Sequence, residues 1–169
     1  ASPIHSSLLN GDSKTGISLI RMDEGMDTGN ILTISEEEIS QTDNLDTLSK
    51  RLSELGADTL CKFLKEQYLN NSFTEKKQSD DKASYCYKLS TKDMELKLSD
   101  STETWINKIR AFAPKPGAFI IHNDKRIKIL SASIVANELI INTVKAEGKK
   151  EMAYKDYCLG NPEGIPVPC

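Results

Sequence analysis

The sequence predicts an α/β chain, in which two strands and a long helix come first and a small β-barrel with one short helix follows. Three observations carry this. Residues 42–71 place Leu45, Leu48, Leu52, Leu55, Leu60, Phe63 and Leu64 at helical spacing. Short β-like runs occur on both sides of that stretch. Between the halves, residues 70–84 (NNSFTEKKQSDDKAS) hold one aromatic among polar or small groups, too little apolar surface to offset the entropy of ordering. The expected division is 1–69, a linker over 70–84, and 85–169.

In the first part, GISLIRM (16–22) is a strand candidate bounded by Gly16 and an acidic turn. ILTISEEEI (31–39) is a second strand whose far end runs into charge. Thr42 or Asp43 is the expected N-cap of the long helix, and Gly56 should weaken that helix without stopping it. In the second part, STETWINKIRAF (101–112) is a short amphipathic helix closed by APKPGA. Trp105 shares its apolar face with Ile106, Ile109 and Phe112, so core packing is expected of it rather than base stacking. The strands AFIIH, RIKILSASI and ELIINTVK follow, the first two joined by the turn HNDKR, and the sum suggests a small barrel.

The 169 residues are 38% hydrophobic and 28% charged, and no apolar run approaches the roughly 20 residues of a membrane span. The start, ASPIHSSLLNG, has neither the basic residues nor the apolar centre of a signal peptide, and it lacks a Met, so the chain is expected to begin inside a longer protein. Cysteines 61, 86, 158 and 169 and the two histidines show no ligand spacing, so no metal site is expected, and the thiols are expected free in a reducing compartment. The net charge of −3 is unevenly placed: residues 1–85 balance to −6 and residues 86–169 to +3. Such a split suits two modules, the second able to meet a polyanion.

One stretch between the first two strands admits two readings. In RMDEGMDTGN (21–30), Asp23 and Asp27 stand four residues apart among two methionines and two glycines. Asp and Gly are ordinary turn residues, so a solvated bend suffices. Alternatively, the loop is half of a reaction site.

ASPIHSSLLNGDSKTGISLIRMDEGMDTGNIL, LSKRLSELGADTL, YKLSTKDMELKLS, IRAFAPKPGAF, IKILSAS and EGKKEM together resemble the methionyl-tRNA formyltransferases of the folate-dependent formyltransferase family. The resemblance implies the C-terminal part of a Rossmann-like catalytic domain followed by an OB-like barrel that helps hold tRNA. It implies transfer of a formyl group from 10-formyltetrahydrofolate to the methionine of initiator methionyl-tRNA, by a monomer in the bacterial cytoplasm rather than the mitochondrial matrix. Formyl transfer needs oxyanion stabilisation and a proton shuttle. By the resemblance, Asp27 is the catalytic acid, placed to raise the pKa of a neighbouring histidine, and Met22, Asp23, Glu24, Gly25 and Met26 line the slot for the folate pterin. Lys149, Lys150 and Arg110 are the implied tRNA phosphate contacts. Tyr85 and Tyr87 fit either strand packing or RNA contact.

The pattern is incomplete. The family motif N-x-H-x-S-L-L-P, source of its asparagine and histidine, is absent; His5 does not match it and is expected as an exposed helix residue. The family also carries about two more strands where only residues 135–137 stand here, which suggests residues missing from the sequence. As given, the chain is expected to be inactive. A formyltransferase acting on a sugar nucleotide or another small amine shares the acidic loop, and a non-catalytic tRNA-binding piece would also fit.

Overall fold

The computed structural model describes residues 2–79, 81, 83–136 and 138–168. Helix α1 (Pro3–Asn10) opens with proline in its first turn, where the missing N–H costs nothing. It closes on Gly11 at φ +71°, whose N–H donates to the Leu8 carbonyl. Strands β1 (Lys14–Ile20) and β2 (Ile31–Glu38) form an antiparallel pair. β1 starts two residues earlier than expected and stops before Arg21. Gly16 lies within it, so close to the Ser35 carbonyl that a Cβ would overlap that oxygen.

Helix α2 (Leu45–Phe63) lays Leu48, Leu52, Thr59 and Phe63 on the core and continues through one π-helical turn, Leu64–Tyr68. Gly56 sits against Ile17 without interrupting it. The N-cap is Asn44, not Thr42 or Asp43: Asn44 Oδ1 accepts from the N–H groups of Asp46 and Thr47, and Thr47 Oγ1 accepts from the Asn44 N–H. Asp43 is drawn away by Arg51, whose Nη1 donates to Asp43 Oδ1 at 2.6 Å.

A short 3₁₀ turn (Thr91–Met94) leads to α3 (Thr102–Phe112), capped by Ser101. Trp105 is fully buried, as expected, and its Nε1 donates to the Lys97 carbonyl at 2.8 Å. Strands β3 (Ala118–His122), β4 (Lys125–Val135), β5 (Glu138–Ala146) and β6 (Met152–Ala153) form an antiparallel meander in that order, and α4 (Tyr154–Gly160) follows. Asn123 and Asp124 both take positive φ in the β3–β4 turn, the conformation a two-residue hairpin requires.

The sheet is open: among the described residues it has four strands and does not close into a barrel. Val135 pairs directly with Glu138, so β4 turns straight into β5 and no strand intervenes. Asn137, within the span where missing residues were suspected, lies outside the described residues, as do Ala1, Asp80 and Lys82 of the linker, and Cys169.

One apolar cluster runs through both halves, joining Leu8, Leu48 and Leu52 to Trp105, Ile109, Phe112, Ile129 and Val144. The His5 ring is half-buried against Phe112, centroids 5.8 Å apart, rather than exposed, and burial pushes its pKa down. Among the described residues no helix is long and apolar enough to cross a membrane, no group of His, Cys, Asp and Glu could hold a metal, and no disulfide forms.

Candidate active site

The acidic loop is the connection from β1 to β2. Its neck is closed by the Arg21 N–H, which donates to the Asn30 carbonyl at 2.9 Å. Gly29 is buried there, and a Cβ on it would overlap the Arg21 carbonyl oxygen, so no other residue fits. Inside the loop Asp23 Oδ1 accepts from the Gly25 N–H at 3.0 Å and from Thr28 Oγ1 at 2.7 Å. This is a local turn in which the carboxylate organises its own backbone.

The segment after α2 straps the loop. Ile31 and Lys76 exchange backbone hydrogen bonds of 2.8 and 2.9 Å. Glu75 accepts from Asn30 Nδ2 at 3.0 Å and pairs with Arg21 at 2.5 Å; the Asn30 hydrogen bond and then the Arg21 contact hold its carboxyl below its ordinary value. Gln78 Nε2 donates to the carbonyls of Asp27 and Gly29, both at 2.7 Å. Sequence reasoning had only a polar linker here. Nothing local marks Glu75 or Gln78, because their partners lie some fifty residues away.

Asp27 takes φ +58°, a conformation aspartate tolerates better than most residues. Among the described residues its carboxylate has no hydrogen-bond or ion-pair partner, while its carbonyl is pinned by Gln78. Every residue from Arg21 to Thr28 is exposed, and Met22 and Met26 stand 89% and 90% exposed. The loop is thus a braced platform with an unspent carboxylate and two bare thioethers. A hollow between β2 and α2 lies elsewhere, lined by Ile34, Leu55, Thr59 and Phe63.

Lys149 and Lys150 are exposed in the turn after β5, whose backbone is closed by Lys149 N–H donating to the Ala146 carbonyl. Arg110 is placed differently: it is half-buried, its Nε donates to the Asp43 carbonyl at 2.8 Å, and its Nη2 donates to the Ser40 carbonyl at 2.9 Å. The guanidinium ties α3 to the segment before α2. Tyr85 and Tyr87 are exposed.

A formyl transferase domain model matches residues 1–64, and a formyl transferase C-terminal domain model matches residues 88–139. The chain is 39% identical to methionyl-tRNA formyltransferase of Mycoplasmopsis pulmonis over 158 residues, which is 92% of this chain and 53% of that protein. The chain spans about half the length of the curated relatives it matches. Its fold is similar to that of methionyl-tRNA formyltransferase from Clostridium thermocellum (TM-score 0.68, 22% identity, 86% of this chain, 62% of that one). It is also similar to that of an N-formyltransferase from Helicobacter canadensis in complex with folinic acid and dTDP-3-aminofucose (TM-score 0.70, 20% identity, 90% of this chain, 60% of that one). With one domain model on the strand–loop–strand–helix half and the other on the helix-and-meander half, this chain belongs to the formyl transferase family.

Proposed function

We propose that this chain works as the C-terminal portion of a methionyl-tRNA formyltransferase, moving the formyl group of 10-formyltetrahydrofolate to the amino group of methionine on initiator tRNA. The observation that carries the reading is that likeness to methionyl-tRNA formyltransferases runs through both halves, acidic loop and basic meander alike. Sugar-directed N-formyltransferases share the fold over most of the chain at 20–22% identity, whereas methionyl-tRNA formyltransferases share 32–39% of residues over as much of it.

In this reaction the amine nitrogen attacks the formyl carbon, the bond to the folate nitrogen breaks, and the proton lost by the amine passes to the leaving nitrogen. A carboxylate beside an imidazole favours its charged form and so raises its pKa, and it holds a relay water. Asp27, exposed and unspent, is the group we assign to that task. The exposed thioethers of Met22 and Met26 offer apolar surface for a pterin ring, with Glu24 and Gly25 supplying backbone between them. Asp23 shapes this loop through Gly25 and Thr28.

No N-x-H-x-S-L-L-P motif occurs in these 169 residues, so the chain alone would not turn over substrate, and the imidazole would come from a segment its relatives carry. The domain units we assign are 1–69 and 85–169, and the four strands of the second would be part of an OB-like barrel. Lys149 and Lys150 would contact tRNA phosphates. Arg110, with two nitrogens spent on carbonyls, would mainly hold that face in place. We place this activity in the bacterial cytoplasm, in a monomer.

The test is formylation of methionyl-tRNA by a protein of the relatives' length that carries this chain. Asp27→Asn should lower kcat by about 10²-fold, the scale of a lost acid–base contribution, with tRNA affinity kept. Equal turnover by Asp27→Asn removes the site assignment. Formylation of an amino-sugar nucleotide, with none of methionyl-tRNA, replaces the substrate.

A further inference from the structure

The outer face of the meander holds a group of cations that neither the core nor the assigned lysines account for. Lys128 on β4 and Lys145 on β5 are direct partners in the antiparallel ladder. Like charges placed directly opposite destabilise a strand pair. That repulsion is partly relieved because Lys128 Nζ donates to the Pro116 carbonyl at 2.7 Å. Arg126, two residues along the same face, lies with its guanidinium 4.2 Å from the centre of the Phe119 ring. Among the described residues neither Arg126 nor Lys145 makes an ion pair.

These side chains line an open groove of about 520 Å³, together with Ile121, Asp124, Ala146, Glu147 and Gly148. Asp124 and Glu147 belong to the β3–β4 and β5–β6 turns, which the register brings to one end of the sheet. The carboxylates therefore mark that end, and the lysine rung lies further in. The turn of Lys149 and Lys150 begins where β5 leaves the groove, its Lys149 N–H bonded to the carbonyl of the lining residue Ala146.

We propose that the rung of Lys128 and Lys145, with Arg126 held on Phe119, is a phosphate-contact site for an RNA backbone, continuous with the Lys149–Lys150 turn. This rests on the tRNA reading above and names further residues for it. Cations on neighbouring strands of one face, Lys128 tethered toward Pro116 and Lys145 free of ion pairs among the described residues, suit an anion that runs across the strands. A small free phosphate would gain little in so open a groove. A polymeric anion releases counterions at each neutralised phosphate, which makes exposed lysines effective. Ile121, half exposed at the groove, adds an apolar contact for a ribose or base.

The experiment is a titration of labelled initiator tRNA with the 169-residue chain, at KCl from about 50 to 200 mM. It compares the chain as it stands with Lys128→Ala/Lys145→Ala and with Lys50→Ala/Lys65→Ala, a control pair on the other half. The groove variant should raise Kd by about tenfold and lower the slope of log K against log salt by about 2, since each phosphate contact contributes about 0.9. Its Tm should hold or rise, because the like-charge rung is gone. The control pair should leave the slope unchanged.

An unchanged slope in the groove variant, with tRNA still bound by the parent chain, overturns the groove and leaves the functional reading standing. Equal losses in the two variants also overturn it, since any lysines would then serve. Failure of the parent chain to bind tRNA overturns the groove and the tRNA reading together. Sedimentation with phosphatidylserine vesicles closes the remaining route: loss of vesicle binding in the groove variant, with tRNA binding intact, assigns the face to a membrane and refutes the proposal.

Discussion

Asp43 is the residue whose loss the structure values most clearly. It is 5% exposed, and its carboxylate accepts from Arg51 Nη1 at 2.6 Å, from the Ser40 N–H at 2.7 Å and from Thr47 Oγ1 at 3.0 Å. Asp43→Ala removes a charge-assisted bond, a loss of about 1.5–3 kcal/mol, while the N–H of the exposed Ser40 turns to solvent at little further cost. Arg51 softens the blow, since Nε keeps Glu37 and Nη2 keeps the Glu38 carbonyl, and the side chain is about a third exposed. The bonds from Arg110 run to backbone carbonyls and survive the substitution. The net expectation is about 2 kcal/mol, which for a chain of this size is a fall in Tm of about 4–8 °C.

The pH dependence supplies a second check. Burial pushes the Asp43 carboxyl up, but hydrogen bonds from Arg51, Ser40 and Thr47, with the charge of Arg51, outweigh it and hold the carboxyl below its ordinary value. A group whose folded pKa is depressed contributes stability above its unfolded pKa and loses it as pH falls through the folded value. The difference between the parent chain and Asp43→Ala, measured by urea unfolding, should be constant near neutrality and shrink on acidification. A loss under about 1 kcal/mol, or the same gap at about pH 3 as at about pH 7, refutes the reasoning.

Gly29→Ala puts a methyl group onto the Arg21 carbonyl at the loop neck, so about 1–3 kcal/mol should be lost in urea unfolding, and amide exchange should quicken from Arg21 to Asn30. An unchanged midpoint would mean that the neck is looser than described. Trp105→Phe keeps an aromatic in the core but leaves the Lys97 carbonyl without its donor, which should cost about 1–3 kcal/mol by thermal unfolding. Trp105 is the one tryptophan, so emission of the parent chain should be blue-shifted when folded and move to the red on unfolding; emission already red in the folded chain would contradict its burial.

Much of the local architecture was legible. The leucine spacing located α2, the alternating runs located the strands of the meander, and HNDKR marked a hairpin whose two turn residues take positive φ. The cap of α2 missed by one residue because Asp43 and Asn44 are both good caps. The choice between them lies with Arg51 and Arg110, which engage Asp43 from α2 and α3. The barrel is not closed among the described residues for another reason: strand patterns locate strands, while closure depends on whether the first and last edges can meet. At the acidic loop, the Asp and Gly content allowed a turn without saying that Asp23 would organise it through Gly25 and Thr28, and Asp27 stood out only by resemblance. The strap from Glu75 to Gln78 gave no signal at all.

By itself the sequence determined what depends on near neighbours along the chain: helical and strand periods, caps to within a residue, and a loop rich in acids and methionines between two strands. Those interactions span only a few residues, so spacing reports them. Only the tertiary structure decided that Gln78 pins the Asp27 backbone, that Arg110 is spent between the two halves, that one core serves both, and that Lys128 faces Lys145. Each of those pairings joins groups distant in sequence, and it forms because burying the shared apolar cluster brings their elements together.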